Sequence, residues 1–397
     1  MQSMIGTLVS AVRTPIFVEG DSLIEMVPRL MAEFYEREHI EPRDRDVLAI
    51  TESVVARTQG NYASLDEMAA DIRRLFPEEG IGVLFPIMSR NRFSSTLKAI
   101  SRANKHVIIQ LSYPADEVGN HLISEDQLDE AGINPWTDVL TEEEFRDHFG
   151  VCKHTFSNVD YIAYYRHLVE SEGAECTIIF SNRPETILEY TSNVLYCDVH
   201  SRHRTRRKLL EAKAENIAGL EHLLCTPSDT HGYNPEYGLL GSNLSSDEEV
   251  KLFPRGSQKL VEELQKRMKE LTGKTIEVMV YGDGAFKDPL GMIWELADPV
   301  VSPGFTSGLE GGPNELKLKY LADNQFSHLK GAELKEALAK SIREKRAGQI
   351  DEELSLGTTP RRYSDLLGSL CDLTSGSGDK GTPIIYIQGY FDNYADK

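Results

Sequence analysis

The sequence predicts a mixed α/β (α+β) fold divided into two or three structural units. Short apolar runs fit for buried strands alternate with stretches of helical periodicity along the chain. A length of 397 residues exceeds one ordinary domain. Hydrophobic residues at 40% and charged residues at 27% supply a proper core, so neither disulfides nor a structural metal need hold the fold together.

The first strand is read in IGTLVSAV, followed by turn chemistry in TPIFVEGDS and a helix in LIEMVPRLMAEFYERE. VLAIT is a second buried strand, SVVA continues it or turns, and QGN breaks the chain. SLDEMAADIRRLF starts on a serine cap and keeps its apolar residues on one face, which predicts a helix. GIGVLFPIMSRNRFSSTLKAISRA reads strand, polar loop, helix, and HVIIQLSYP is another strand. From Gly119 to Asp147 the chain is acidic and broken by Pro and Gly, the pattern of a surface excursion. ECTIIFSN predicts a strand, and SRHRTRRKLLEAKAENIAGLEHLL the longest helix of the middle region. LVEELQKRMKELTG predicts a helix capped by Gly273, then IEVMVY a strand running into a Gly-Asp-Gly turn. Helices in ELKEALAKSIREKRAG and YSDLLGSLCDL, the loop TSGSGDKGTP and the strand IIYIQGY complete the chain, with no internal repeat.

Acidic residues outnumber basic ones 63 to 43, a formal charge of −20 that repels phosphate backbones and argues against nucleic-acid binding. The basic run His200–Lys208 reads as the solvated start of an amphipathic helix, with anion binding as the other reading. Five scattered cysteines with no CxxC pair fit a reducing compartment. The N-terminus lacks a signal-peptide pattern, and no apolar run approaches the roughly 18 residues needed to span a bilayer. A cytoplasmic protein with no membrane partner is the expectation.

Four segments could carry chemistry, and each has a plainer reading. Thr14–Asp21 and Ile50–Asn61 are strand ends turning through glycine, where Arg57 could pair with a phosphate; they are otherwise two turns and a surface arginine. Ser89–Thr96 is a serine-rich helix start carrying Arg90 and Arg92, an anion site or merely a cap. Tyr281–Pro289 places Asp283 between two glycines with Asp288 nearby, either oxygen ligands for a hard cation or a hairpin turn. Cys371–Pro383 is a Gly/Ser loop that could lie along phosphates with Asp372 or Asp379 as a metal ligand, or a plain linker. His231 is a further candidate ligand or base, or simply structural.

Taken in order, five segments resemble the coenzyme F420-0:L-glutamate ligase (F420-0 gamma-glutamyl ligase) family. TPIFVEGDSL is similar to its P-L-I-x-x-G-D-D-L, and DRDVLAITESVVARTQGN to its D-G-D-V-L-V-V-(T/S)-x-x-V-V-S-K-x-E-G-R. GLLGSNLSSDEEVKLFP looks like the G-I-D-x-S-N element before L-L-P. KELTGKTIEVMVYGDG matches the helix, strand and metal turn, and GSGDKGTPIIYIQG the closing G-G-D-G-I-P-A-V-V-V-R-G. Residues 62–237 then look like an inserted or enlarged α/β region between two parts of a ligase core, 1–61 and 238–397.

The resemblance implies a two-domain ligase fold with a large insertion and an intertwined homodimer. It implies GTP (or ATP) held by Thr14, Pro15, Ile16 and Phe17, by Glu52, Ser53 and Arg57, by Asn243, and by Thr374, Ser375, Gly376, Ser377, Gly378 and Asp379. Asp283 and Arg57 would be catalytic, and Asp283, Asp288 and Asp372 would hold Mg²⁺ or Mn²⁺. Two departures stand out. Leu240 replaces the Asp of G-I-D-x-S-N, with Asp229, Glu236, Asp247 or Asp288 as substitutes, and the turn aspartate is displaced by one position to Asp283. The implied reaction joins an amino acid, glutamate in this family, to the carboxylate of F420-0 or a pterin or folate through an acyl phosphate. A nucleotide binder without catalysis is the alternative, and an amide hydrolase the third.

Overall fold

The computed structural model describes residues 4–77, 79–288, 292–294, 296–346, 361–376 and 378–396. Among the described residues the strands are, in chain order, β1 (Leu8–Val12), β2 (Val47–Thr51), β3 (Tyr62–Ser64), β4 (Gly80–Leu84), β5 (His106–Leu111), β6 (Leu140–Thr141), β7 (Glu175–Phe180), β8 (Asn193–Tyr196), β9 (Asn216–Gly219), β10 (Asn243–Ser246), β11 (Glu249–Lys251), β12 (Glu277–Tyr281), β13 (Gly304–Phe305) and β14 (Ile384–Gln388). They form three sheets.

The core sheet runs β1-β14-β2-β12-β13, so the two ends of the chain pair with each other at one side. Only β2 and β12 are parallel neighbours. Period-2 alternation divides the sheet's side chains. Leu48, Ile50, Val278, Val280, Ile384 and Tyr386 pack under the helices Leu23–Arg37 and Ser257–Thr272. Val47, Ala49, Met279, Ile385 and Ile387 pack on the other face, against the helix Tyr363–Ser375. Both faces are covered, which is why VLAIT and IEVMVY are apolar throughout rather than alternating.

The second sheet has the order β6-β7-β5-β4-β8-β9, parallel except for the short β6. Its five parallel strands, taken by appearance in the chain, lie 3-2-1-4-5, the doubly wound arrangement. Ile81, Val83, Val107, Ile109, Phe180 and Leu195 face one apolar cluster, and Leu84, Ile108, Ile179, Val194 and Tyr196 face another. The larger cluster extends beyond residue 237 to Leu239, Leu240, Val250 and Leu252. A three-stranded ribbon, β10-β11-β3, joins the two units.

Several local expectations change. SVVA belongs to a helix, Glu52–Thr58. Gly119–Asp147 is not a bare excursion: helices Glu125–Ala131 and Glu142–Phe149 each start on a capping box and bury Leu128 and Phe145. The long middle helix ends at Glu211, because Lys213 turns the chain with φ 63° and Asn216–Gly219 pairs with β8. The helix Tyr161–Ser171, capped by Asp160, and β8 were not read from the sequence. No helix among the described residues is long and apolar enough to cross a membrane, and all five cysteines are free.

Candidate active site

Parallel pairing of β2 and β12, with Thr51 opposite Tyr281, makes both strands end at the same edge. Glu52 and the Gly282–Gly284 turn therefore emerge side by side. A Cβ on Gly282 would fall 2.2 Å from Asp298 Oδ2, and one on Gly284 2.8 Å from the Ser369 backbone. The Gly-Asp-Gly turn is thus a close approach of backbone to a carboxylate and to a helix, and only glycine fits it.

Four carboxylates gather there. Asp298 Oδ2 accepts the Asp283 N–H at 2.7 Å, and Asp372 Oδ2 accepts the Gly284 N–H at 2.9 Å. Arg92 reaches in from the second unit, with Nη2 2.7 Å from Asp283 Oδ2 and Nη1 2.9 Å from Asp298 Oδ1. The same guanidinium donates to the Gly241 carbonyl at 3.1 Å. Glu52 is buried, with Oε2 lacking a hydrogen-bond partner. Burial pushes Asp298 well above its ordinary value, opposed chiefly by Arg92. It also raises Glu52, against the pull of Lys251 and Arg92, and raises Asp372. Lys251 Nζ touches Ser53 Oγ at the same strand end.

Beside this cluster lies a cleft of about 360 Å³. Thr14, Pro15, Ile16 and Phe17 form one wall; Thr51, Ser53, Val54 and Arg57 the floor; Ser375, Gly376, Gly378 and Gly381–Pro383 the opposite wall. The Thr14 N–H donates to Gly381 O at 3.1 Å, tying the two walls together. Gly376 has φ +63°, and a Cβ there would lie 2.6 Å from Lys380 Nζ, so glycine leaves room for an amine across the loop. Hydroxyls, open glycine backbone and an exposed Arg57 are what an anionic, partly apolar ligand requires.

Nine of the expected nucleotide residues, Thr14, Pro15, Ile16, Phe17, Ser53, Arg57, Ser375, Gly376 and Gly378, thus share one cleft. Glu52 lies in the adjoining carboxylate cluster. Thr374 is turned into its own helix, bonding the Leu370 carbonyl. Asp379 sits in the short turn Gly378–Lys380, and Ser377 lies outside the described residues. Asn243 is on β10, opposite Lys251.

A family model described as F420-0:Gamma-glutamyl ligase matches residues 11–389. The chain belongs to that family. This gamma-glutamyl ligase family match encloses the whole doubly wound unit as well as both parts of the core. No curated protein matches the chain.

The family member departs from the expected metal set. Carboxylate oxygens suit Mg²⁺ or Mn²⁺, yet here Asp283 and Asp298 bracket a guanidinium. Among the described residues no group of three or more His, Cys, Asp or Glu is placed to hold an ion. Asp288 does not join the cluster; it is exposed and lines a separate cleft with Phe286 and Trp294. Asp229, Glu236 and Asp247 are exposed on the surface. As placed, these residues do not fit a metal held by the protein. Asp298, which sequence reasoning missed, supplies the buried carboxylate near Asp283, fifteen positions further along the chain. No local pattern marks it. Arg92 is found where a phosphate contact was expected from its loop, but its partners are carboxylates; Arg90 is exposed. Among the described residues His231 bonds only its neighbour's carbonyl, Gly232 O.

Proposed function

We propose that this ligase family member binds a nucleoside triphosphate, GTP or ATP, in the cleft between Thr14–Phe17 and Ser375–Pro383 and forms a γ-glutamyl-type amide. The observation that carries the reading is the convergence of both chain ends on one cleft that abuts a buried carboxylate–arginine cluster. Arg57 and Lys380 face the phosphates, and Ile16 and Phe17 offer apolar surface to the base. An oxygen of the acceptor carboxylate attacks the terminal phosphorus, the bond to the nucleoside diphosphate breaks, and an acyl phosphate forms. The neutral amine of the amino acid then attacks the acyl carbon; inorganic phosphate leaves and the amine proton is lost to a base. Such chemistry needs positioning and charge stabilisation more than covalent help from the protein. Asp283 and Glu52 stand where the incoming amine would give up its proton, and Arg92 keeps Asp283 in place. L-Glutamate as amine donor, and F420-0 or a pterin or folate carrying a carboxylate as acceptor, follow from the family resemblance, as does a homodimer.

Calorimetric titration with GTP and with ATP, followed by mass spectrometry of reactions containing L-glutamate and F420-0 or a folate, tests this. Nucleotide binding with nucleoside diphosphate release that depends on both co-substrates supports ligation. Tight binding with no product under any combination favours the non-catalytic alternative, and no binding removes the nucleotide reading altogether.

A further inference from the structure

The doubly wound unit carries a second site that the ligase reading does not use. In open parallel sheets ligands bind outside the carboxyl ends of the strands, where the strand order reverses. Here that point lies between β4 and β8: from β4 the chain first builds outward through β5 and β7, then returns to add β8 and β9 on the other side. A crevice of about 570 Å³ opens at this point. Phe85 just after β4, Ser112 just after β5, Asn182 shortly after β7 and Asp198 shortly after β8 all line it.

The usual occupant of such a crevice, a nucleotide phosphate, has no place to sit. The loop after β4, Phe85 to Phe93, contains no glycine. The N–H groups of the turn that leads into the helix Arg202–Glu211 are taken by Glu117. Its carboxylate accepts from Val199 N, from His200 N at 3.1 Å and from Ser201 N at 2.9 Å, and also from Ser201 Oγ at 2.8 Å. An internal carboxylate therefore occupies the turn just before that helix and repels a phosphate there.

The lining is otherwise acidic. Asp116, Glu117, Glu125, Asp129 and Asp198 face Arg204 and a single histidine, His121. Asp116 is consumed by the Met88 and Asn120 N–H groups. Asp198 is different. It is 1% exposed, and its Oδ1 is buried with no hydrogen-bond partner. Its Oδ2 accepts from Thr205 Oγ1 at 2.7 Å and lies 2.7 Å from Ser201 Oγ, whose single proton it shares with Glu117. A buried acceptor without a donor is costly, and a ligand donor relieves that cost. At the rim Trp136 is 72% exposed beside Leu128 and Ile133, an apolar surface with a ring face open to solvent.

We propose that this crevice binds a small organic cation, a primary ammonium on an aromatic or apolar body, with the ammonium on Asp198 and the body against Trp136. It is independent of the nucleotide cleft, so either assignment can fail alone.

Three probes of one shape and different charge test it by calorimetry on the full chain: tyramine, uncharged 4-ethylphenol and anionic 4-hydroxyphenylacetate. Tyramine binds at least tenfold more tightly than the other two, and Asp198→Asn removes that preference. Should Asp198→Asn fail to fold, Asp129→Asn and Trp136→Ala, both at the rim, each weaken tyramine severalfold while leaving nucleotide binding unchanged. Equal affinity for the three probes, preference for the anion, or no tyramine binding at millimolar concentration overturns the proposal.

Discussion

The molecule places two crevices at the ends of parallel strands, one where cations match the buried carboxylates and one where acids are in excess. At the end of β2 and β12 the nearby cations are Arg57, Arg92, Lys251 and Lys380, and glycines keep the backbone open. At the ends of β4 and β8 carboxylates dominate, and Glu117 occupies the turn that leads into the helix Arg202–Glu211. Strand topology sets where a ligand can sit, whereas the side chains after each strand set what charge it carries.

The largest expected effect is at the joint between the two units. Arg92→Ala leaves Asp283 and Asp298 without their cation, and Asp298 is fully buried. Removing one partner of such a pair costs about 3–5 kcal/mol, read as a fall in the urea midpoint. Arg92→Met with both Asp283→Asn and Asp298→Asn, which removes the charge on both sides, regains much of it. A loss below about 1 kcal/mol for Arg92→Ala breaks the picture of a buried clasp.

The acidic crevice has a pH signature. Burial raises Asp198 and Asp116 each to about 6 from an ordinary 3.8. A carboxyl raised on folding stabilises the folded state below its unfolded value, and that contribution is lost as pH rises through the folded one. The protein therefore loses stability between about pH 4 and 6 from these groups, by an order of 3 kcal/mol per carboxyl at most. Asp198→Asn flattens the melting temperature over that range; an unchanged slope shows that Asp198 titrates normally.

Binding offers a reciprocal contrast. Arg57→Ala weakens GTP or ATP by about tenfold, the loss of one charge-assisted contact, and leaves tyramine untouched. Calorimetry with both ligands reads this, and a variant that weakens neither removes Arg57 from the cleft's chemistry. The smallest effect separates the helices. In the doubly wound unit Ser64, Ser124 and Thr141 build capping boxes, while the core helix after Ser22 has no side-chain cap. Ser64→Ala costs about 1 kcal/mol, and Ser22→Ala stays within roughly 0.5 kcal/mol; equal losses in thermal unfolding would remove the distinction.

Much of the core was legible because its strands are apolar on both faces and bounded by turn residues. VLAIT is β2 residue for residue, and Gly273 caps its helix with φ +71° as the sequence suggests. The middle region was harder. LLEAKAENIAGLEHLL keeps helical spacing, but Asn216–Gly219 finds a parallel partner in β8, and tertiary pairing overrides local pattern. Thr14–Phe17, Ser53 and Gly376 were reached through the family resemblance, because each segment alone reads as a turn or a linker. Asp298 was not reached: a buried aspartate in LADPVV looks like any turn until the strand that it touches is known.

The pairing of β1 with β14 has a consequence for synthesis. Residues 8–12 find their neighbour only in residues 384–388, and β2 needs both 277–281 and 384–388 beside it. The core sheet must wait until residue 388 has left the ribosome, while the six-stranded unit, whose apolar cluster is complete at residue 252, can form earlier in translation. A stalled or truncated product would thus carry a finished doubly wound unit beside an open, apolar core strand, and such a strand seeks any edge it can find.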